Sequence, residues 1–125
     1  MSPVVWLRAS RGLAVLTVAV VAVLFVTAGQ LVQSHQLENV HGVAAIALHV
    51  VSGALAITLL GLARLRGSGW WVAGLASVLF AFSFVQAYLG KGYTLAIHIP
   101  GALLVTVGSI WLACWIFAQR ETQPS

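Results

Sequence analysis

The chain has 125 residues, of which 61% are hydrophobic, and it carries six basic and two acidic side chains for a formal net charge of +4. A soluble domain of this size with so few charged residues would lack a polar surface, so the composition excludes a soluble protein and predicts one embedded in a membrane. The basic residues are separated by long apolar runs and do not cluster among polar neighbours, which excludes a nucleic-acid-binding surface.

Four apolar segments follow one another along the chain, and each is about 20 residues long. A helix of that length crosses a hydrocarbon core of roughly 30 Å. The sequence therefore predicts an all-α fold, a four-transmembrane-helix bundle in which residues 1–125 form a single integral membrane domain. The predicted helices are residues 12–32, 41–64, 70–89 and 94–118, and the lipid bilayer is the first predicted partner.

The first segment follows basic residues and could be read as a secretory signal. Its apolar core is longer than the roughly 7 to 15 residues that are usual for such a signal. We therefore expect an uncleaved first helix.

The basic residues predict the orientation of the bundle. By the positive-inside rule, loops rich in arginine and lysine stay on the cytoplasmic side. We therefore expect both termini to be cytoplasmic, in the plasma membrane of a bacterium. Five arginines fall on one predicted side and a single lysine on the other: Arg8, Arg11, Arg64, Arg66 and Arg120 against Lys91.

With this topology, histidines lie near the outer ends of the second and fourth helices. His41 and His98 each fall about one turn inside the outer boundary, at matching depth. Ionisable side chains are costly in hydrocarbon, so those found there are leads to a functional site. His49 lies about 12 Å deeper than His41 and is rotated by about 80° around the same helix, so we expect it to face a different neighbour.

The two halves of the chain resemble each other in outline. Gln30 precedes His41 by eleven residues, and Gln86 precedes His98 by twelve, in each case across an outer loop. This spacing favours a two-fold internal repeat of helix pairs.

Two imidazoles at one depth on two helices can hold a haem between them. We therefore predict haem b as the cofactor, with His41 and His98 as iron ligands and His49 as a further contact. Gly42 and Gly101 lie next to or near these histidines and would let a macrocycle approach the backbone. Zinc fits less well, because it takes three or four protein ligands. The alternatives are that the outer histidines lie in the headgroup region and that His49 hydrogen-bonds a neighbouring helix.

The segment Glu38-Asn39-Val40-His41 has the Glu-x-x-His form that begins the second helix in the heme A synthase family, and the passage from residue 85 to His98 is similar to that family's third-to-fourth helix passage. The resemblance implies one four-helix half of that fold, with His41 and His98 as axial ligands and Glu38 as the acidic residue of the chemistry. The chain departs from the family in having Gly42 where the family has arginine, and it lacks the outer-loop cysteines of many members.

Three functions stay open at this point. The first is a small membrane protein that binds b-type haem for electron transfer or haem handling, of which an oxidoreductase is one form. The second is a non-enzymatic accessory subunit of a larger membrane complex, or a homodimer, in which polar groups only join helices. The third is a small transporter or quinone-binding protein in which His49 accepts a proton.

Overall fold

The computed structural model describes residues 2–121, and within them the regular structure is helical throughout. Each of its four long helices is long and apolar enough to cross a membrane, which confirms the predicted fold class. A short 3₁₀ turn, Gly92–Thr94, precedes the last of them. The helices are α1 Pro3–Ser34, α2 Glu38–Arg66, α3 Trp70–Leu89 and α4 Leu95–Ala118.

The main departure from the predicted boundaries is at the start of α1, which begins at Pro3 and not at residue 12. Proline at the first helical position has no N–H to leave unpaired, and the Ser2 hydroxyl accepts the N–H of Val5 at 3.5 Å. Arg8 and Arg11 therefore lie within the first turns of the helix and not ahead of it. Their long side chains can reach a polar boundary while the backbone stays helical.

The loops between helices are short, and the first two, between α1 and α2 and between α2 and α3, have left-handed backbone conformations. Gly67 and Gly69 have φ values of 65° and 85°, where the absence of a Cβ removes the steric penalty. Across the other loop, His35 and Leu37 adopt φ values of 53° and 64° without that advantage. Short connections force consecutive helices to run antiparallel.

The four helices form a closed ring in which α1 packs against α2 and α4, and α3 packs against the same two helices. One end of the ring, here called the arginine end, holds both ends of the described chain and the loop between α2 and α3. The other, the histidine end, holds the loop between α1 and α2 and the loop that contains the 3₁₀ turn. Both termini thus lie on one side, as the predicted topology requires.

The main hydrophobic core lies toward the arginine end. Leu7 of α1, Leu55 of α2, Val72 of α3 and Ile116 of α4 are each 2% exposed or less. There Gly61 lies under the Trp6 ring, so that a Cβ at this position would come within 2.8 Å of it. A smaller cluster of Val21, Leu48 and Val105 lies nearer the middle of the bundle.

An ion-pair cluster joins α1 to the chain after α4. Glu121 accepts from Arg8 at 2.9 Å and from Arg11 at 2.7 Å, and Arg11 also donates to the Gln119 carbonyl at 2.7 Å. The Arg8 hydrogen bond, more than the surrounding positive charge, lowers the pKa of the Glu121 carboxyl. The arginine end is therefore closed by both apolar packing and charge.

Candidate functional site

A cavity of about 360 Å³ opens at the histidine end, between all four helices. Its volume lies within the range of about 300–1,000 Å³ that is usual for small-molecule sites. Most of its wall is aliphatic, with Val21, Leu24 and Val105 among the contacts. Three of the four histidines of the chain line it as well: His41, His49 and His98.

His41 is held by a hydrogen-bonded chain that runs into α1. Its Nδ1 lies 2.9 Å from the Thr27 hydroxyl, and this hydroxyl donates to the Val23 carbonyl at 2.9 Å. When the hydroxyl proton goes to this carbonyl, the Nδ1–H donates to Thr27, and the neutral ring keeps a lone pair on Nε2.

His98 is fixed in the same tautomer by a backbone group. Its Nδ1 lies 3.0 Å from the carbonyl oxygen of Gln86, near the end of α3. A carbonyl can only accept, so Nδ1 carries the proton and Nε2 keeps its lone pair. Hydrogen bonds of this kind orient histidine ligands in metal sites.

His49 also lines the cavity and, as its rotation predicts, faces a different neighbour from His41, since it contacts α3 and His41 contacts α1. Its Nδ1 lies 2.8 Å from the Ser83 hydroxyl, which is also 2.6 Å from the Phe80 carbonyl; when the hydroxyl donates to that carbonyl, the proton of the ring is on Nδ1. The ring stacks on Phe84 with centroids 4.1 Å apart and planes 11° from parallel. The eight-residue offset and rotation place His49 at a deeper point of one extended cavity, not in a separate site.

The predicted hydrogen bond between His49 and a neighbouring helix is thus present. All three cavity histidines share one feature, which is that Nδ1 hydrogen-bonds to a group on a neighbouring helix. A repeated arrangement of this kind favours a ligand-binding role over a purely structural one.

Gln86 presents a different feature of the cavity wall. The residue is 7% exposed, and neither its Nε2 nor its Oε1 has a hydrogen-bond partner within residues 2–121. Both amide atoms are almost inaccessible, and the amide packs against Gly101 of α4, where a Cβ would overlap the amide nitrogen. A buried amide without a hydrogen-bond partner costs stability.

The remaining predicted site residues fall in different places. Gly42 lines the cavity and has open space where a Cβ would be, whereas Gly101 is not among the lining residues and instead makes room for Gln86. Glu38 is exposed in the first turn of α2 and does not line the cavity. His35, in the loop before it, is exposed as well.

Sequence reasoning missed the residues that hold the histidines. Thr27 and Ser83 resemble ordinary small residues of transmembrane helices, and nothing in their spacing from His41 and His49 marks them as partners. Gln86 was noticed only through its spacing from His98. The available signal was that Gln86 is a strongly polar residue inside an apolar segment, where an amide needs a partner.

A bare metal ion and a haem require different numbers of ligands from the protein. Within the described part of the chain, no three histidine, cysteine or acidic side chains come together to hold a metal ion by themselves. A haem needs only two axial ligands, an apolar slot and close backbone approach. His41, His98, the aliphatic walls and Gly42 match these requirements. The residues present therefore fit a haem better than a bare ion.

Comparison of the chain with known protein families, curated proteins and solved structures finds no match.

Proposed function

We propose that this chain is a small integral membrane protein that binds b-type haem between His41 and His98, for electron transfer or for handling of the haem itself. The observation that carries the proposal is that the two histidines come from different helices, line one cavity and are each held through Nδ1 by a neighbouring helix. Helical bundles build cofactor sites from side chains on facing helices, and histidine is a common haem ligand.

A bound haem would supply reversible one-electron chemistry between ferric and ferrous iron. The protein's own contribution is to fix the ligands and exclude water. The Gln86 carbonyl holds His98 with the proton on Nδ1, and Thr27 orients the His41 ring; hydrogen bonds of this kind make an imidazole a better ligand for a metal. The aliphatic walls lower the local polarity, which is one of the factors that set a haem potential.

The chain resembles one half of the heme A synthase fold, and in our proposal this resemblance covers the arrangement of the four helices and the two iron ligands. It does not extend to the acidic residue, because Glu38 is exposed outside the cavity. We therefore assign Glu38 no part in the chemistry proposed here. A second copy of the chain would be needed to complete the two-half arrangement of that family.

We also propose that the arginine end faces the cytoplasm of a bacterial cell, which places the cavity toward the outer surface. The support is the imbalance of charge, since five arginines flank the helices at one end and Lys91 alone is basic at the other.

The test is an absorption spectrum of the detergent-purified protein, oxidised and then reduced with dithionite, compared with His41→Ala and His98→Ala. We expect a Soret band with sharp reduced bands in the native protein and loss of most of the bound haem in each variant. His35→Ala is the matched control, because His35 is exposed and lies outside the cavity.

Retention of normal haem content in both His41→Ala and His98→Ala would overturn the proposed ligation. A protein that stays colourless after haem is added would overturn the function as a whole. Parallel measurement of helix content would show that each variant is folded, so that loss of colour reports on ligation.

A further inference from the structure

A second, smaller cavity, here called the arginine cleft, lies at the boundary of the arginine end, between the last turns of α2, the loop to α3 and the end of α4. Its volume is about 60 Å³, and it shares no lining residue with the cavity of the histidine end. At roughly 10–15 Å³ for each water, the arginine cleft has room for about four to six waters or for one phosphate group. Its wall is partly polar, with Arg66, Ser68 and Gln119 beside Leu62 and Trp115.

The basic residues around this cleft exceed the acidic side chains that could neutralise them. The chain has only two acidic side chains, of which Glu38 lies at the histidine end. The other, Glu121, is paired with the two arginines of α1. Within residues 2–121, Arg64, Arg66 and Arg120 form no ion pair. An anion that neutralises them must therefore come from outside the chain.

Arg66 is the arginine in the wall of the cleft. Its Nη2 donates to the Arg120 carbonyl at 3.2 Å, and a guanidinium has five N–H donors, so most of them stay available to a ligand. The planar fork of a guanidinium matches two oxygens of a phosphate. The Ser68 hydroxyl and the Gln119 amide can donate as well. These donors suit an oxyanion.

An exposed aromatic surface adjoins the cleft. Trp115, in the cleft wall, packs edge-on against Trp71 with centroids 5.9 Å apart, and the centroid of Trp71 lies 5.0 Å from that of Trp111. Trp71 and Trp111 are 57% and 40% exposed, on helices long enough to cross a membrane. Tryptophan rings at a membrane boundary contact both head groups and hydrocarbon. The anion site therefore continues into a surface that suits acyl chains, which favours a lipid over a free anion.

We propose that the arginine cleft binds the phosphate of an anionic phospholipid, with Arg66 as the main contact and the acyl chains against Trp71 and Trp111. Basic pockets between transmembrane helices bind head groups of this kind. Phosphatidylcholine carries the same phosphate, but its quaternary ammonium would lie among arginines that repel it. The cleft therefore selects a head group with net negative charge. This site is separate from the haem cavity and does not depend on haem binding.

The test is quenching of tryptophan fluorescence by brominated lipids, with the full chain reconstituted in vesicles. The quenching by dibrominated phosphatidylglycerol in phosphatidylcholine vesicles is compared with that by dibrominated phosphatidylcholine in phosphatidylglycerol vesicles. We expect the native protein to prefer phosphatidylglycerol about tenfold, the effect of roughly one charged hydrogen bond. The signal reports on the arginine end, because all five tryptophans lie toward it: Trp6, Trp70, Trp71, Trp111 and Trp115.

Two variants each remove one positive charge from the last turn of α2. Arg66→Gln should abolish the preference, a loss of about tenfold, because it removes the fork from the cleft. Arg64→Gln is the matched control and should reduce it by only about twofold, because Arg64 is exposed and lies outside the cleft. Ser68→Ala, at an exposed position, should reduce it about threefold through the loss of one neutral hydrogen bond.

Equal losses in Arg66→Gln and Arg64→Gln would overturn the inference, because they would reflect general attraction to surface charge. An unchanged preference in both Arg66→Gln and Ser68→Ala would overturn it as well. So would a loss of the preference in sodium phosphate but not in sodium chloride of equal ionic strength, which would reveal a site for the free anion. Helix content and haem content should be unchanged in Arg66→Gln, so this inference and the haem proposal can fail separately.

Discussion

The two ends of this bundle are built from the same four helices but differ in how closely the helices pack. At the arginine end, side chains from all four helices are almost completely buried, and Glu121 ties α1 to the end of α4. At the histidine end, the helices enclose about 360 Å³ of space, and the amide of Gln86 has no hydrogen-bond partner among residues 2–121.

This difference indicates that one end holds the fold together while the other is kept open for a ligand. Between transmembrane helices, stability comes mainly from van der Waals packing and not from removal of water, so an open cavity is a loss of contacts that the closed end must offset. The comparison can be tested by matched changes at the two ends.

The largest effect is expected from shortening a leucine at each end. Leu7→Ala, at a position that is fully buried, should lower the free energy of unfolding by about 4 kcal/mol, in the upper part of the range for such changes. Leu48→Ala should cost about 2 kcal/mol, because Leu48 already borders the cavity and has fewer contacts to lose. Equilibrium unfolding in mixed detergent micelles measures both, and equal losses would contradict the division between the two ends.

A glycine at each end gives a second contrast. Gly61→Ala should cost about 1–3 kcal/mol, because the new Cβ meets the Trp6 ring at 2.8 Å and forces one helix to shift. In Gly42→Ala, the new Cβ has no atom of the described residues to meet within 4 Å. The change should therefore leave the free energy of unfolding unchanged or raise it by up to about 1 kcal/mol through helix propensity. The same unfolding assay separates them, and a destabilised Gly42→Ala would show that the cavity is narrower than described.

The third change should raise stability. Gln86→Leu replaces a buried amide without partners by an apolar side chain, so ligand-free protein should gain about 1–3 kcal/mol in free energy of unfolding. Thermal unfolding of the ligand-free protein tests this, with Gln30→Leu on the exposed face of α1 as the control. A loss of stability in Gln86→Leu would show that the amide already has a partner.

The sequence predicts the number and the approximate extent of the helices, but it misplaces the start of the first one. Segment length alone predicts the four helices, because crossing a bilayer imposes about 20 apolar residues on each. The start of α1 was predicted too late, because Arg8 and Arg11 were read as flanking charges, whereas long arginine side chains allow the helix to continue past them.

The candidate site could be predicted only in part. Matching depth singled out His41 and His98, and both line the cavity. The rotation of His49 by about 80° correctly predicts a different neighbour, Ser83 of α3, yet His49 lines the same cavity, because a cavity enclosed by four helices can be reached from a wide arc of α2. The hydrogen bonds of Thr27 and Ser83 to the histidines depend on helix packing across the bundle, which a single sequence does not encode in any spacing.

The smallest effect concerns the ion pairs that close the arginine end. The pKa of Glu121 is lowered, first by its hydrogen bond from Arg8 and then by the positive charges of Arg8 and Arg11, so the folded state favours the charged carboxylate. The stabilisation is therefore present above the ordinary pKa of 4.5 and is lost as the pH falls through the lowered value. Melting temperatures of the native protein and Glu121→Gln should differ slightly at pH 7 and converge once the pH falls below the lowered pKa of Glu121, and 1 M salt should reduce the difference at neutral pH. A difference that persists in acid would mean that Glu121 acts through packing and not through its charge.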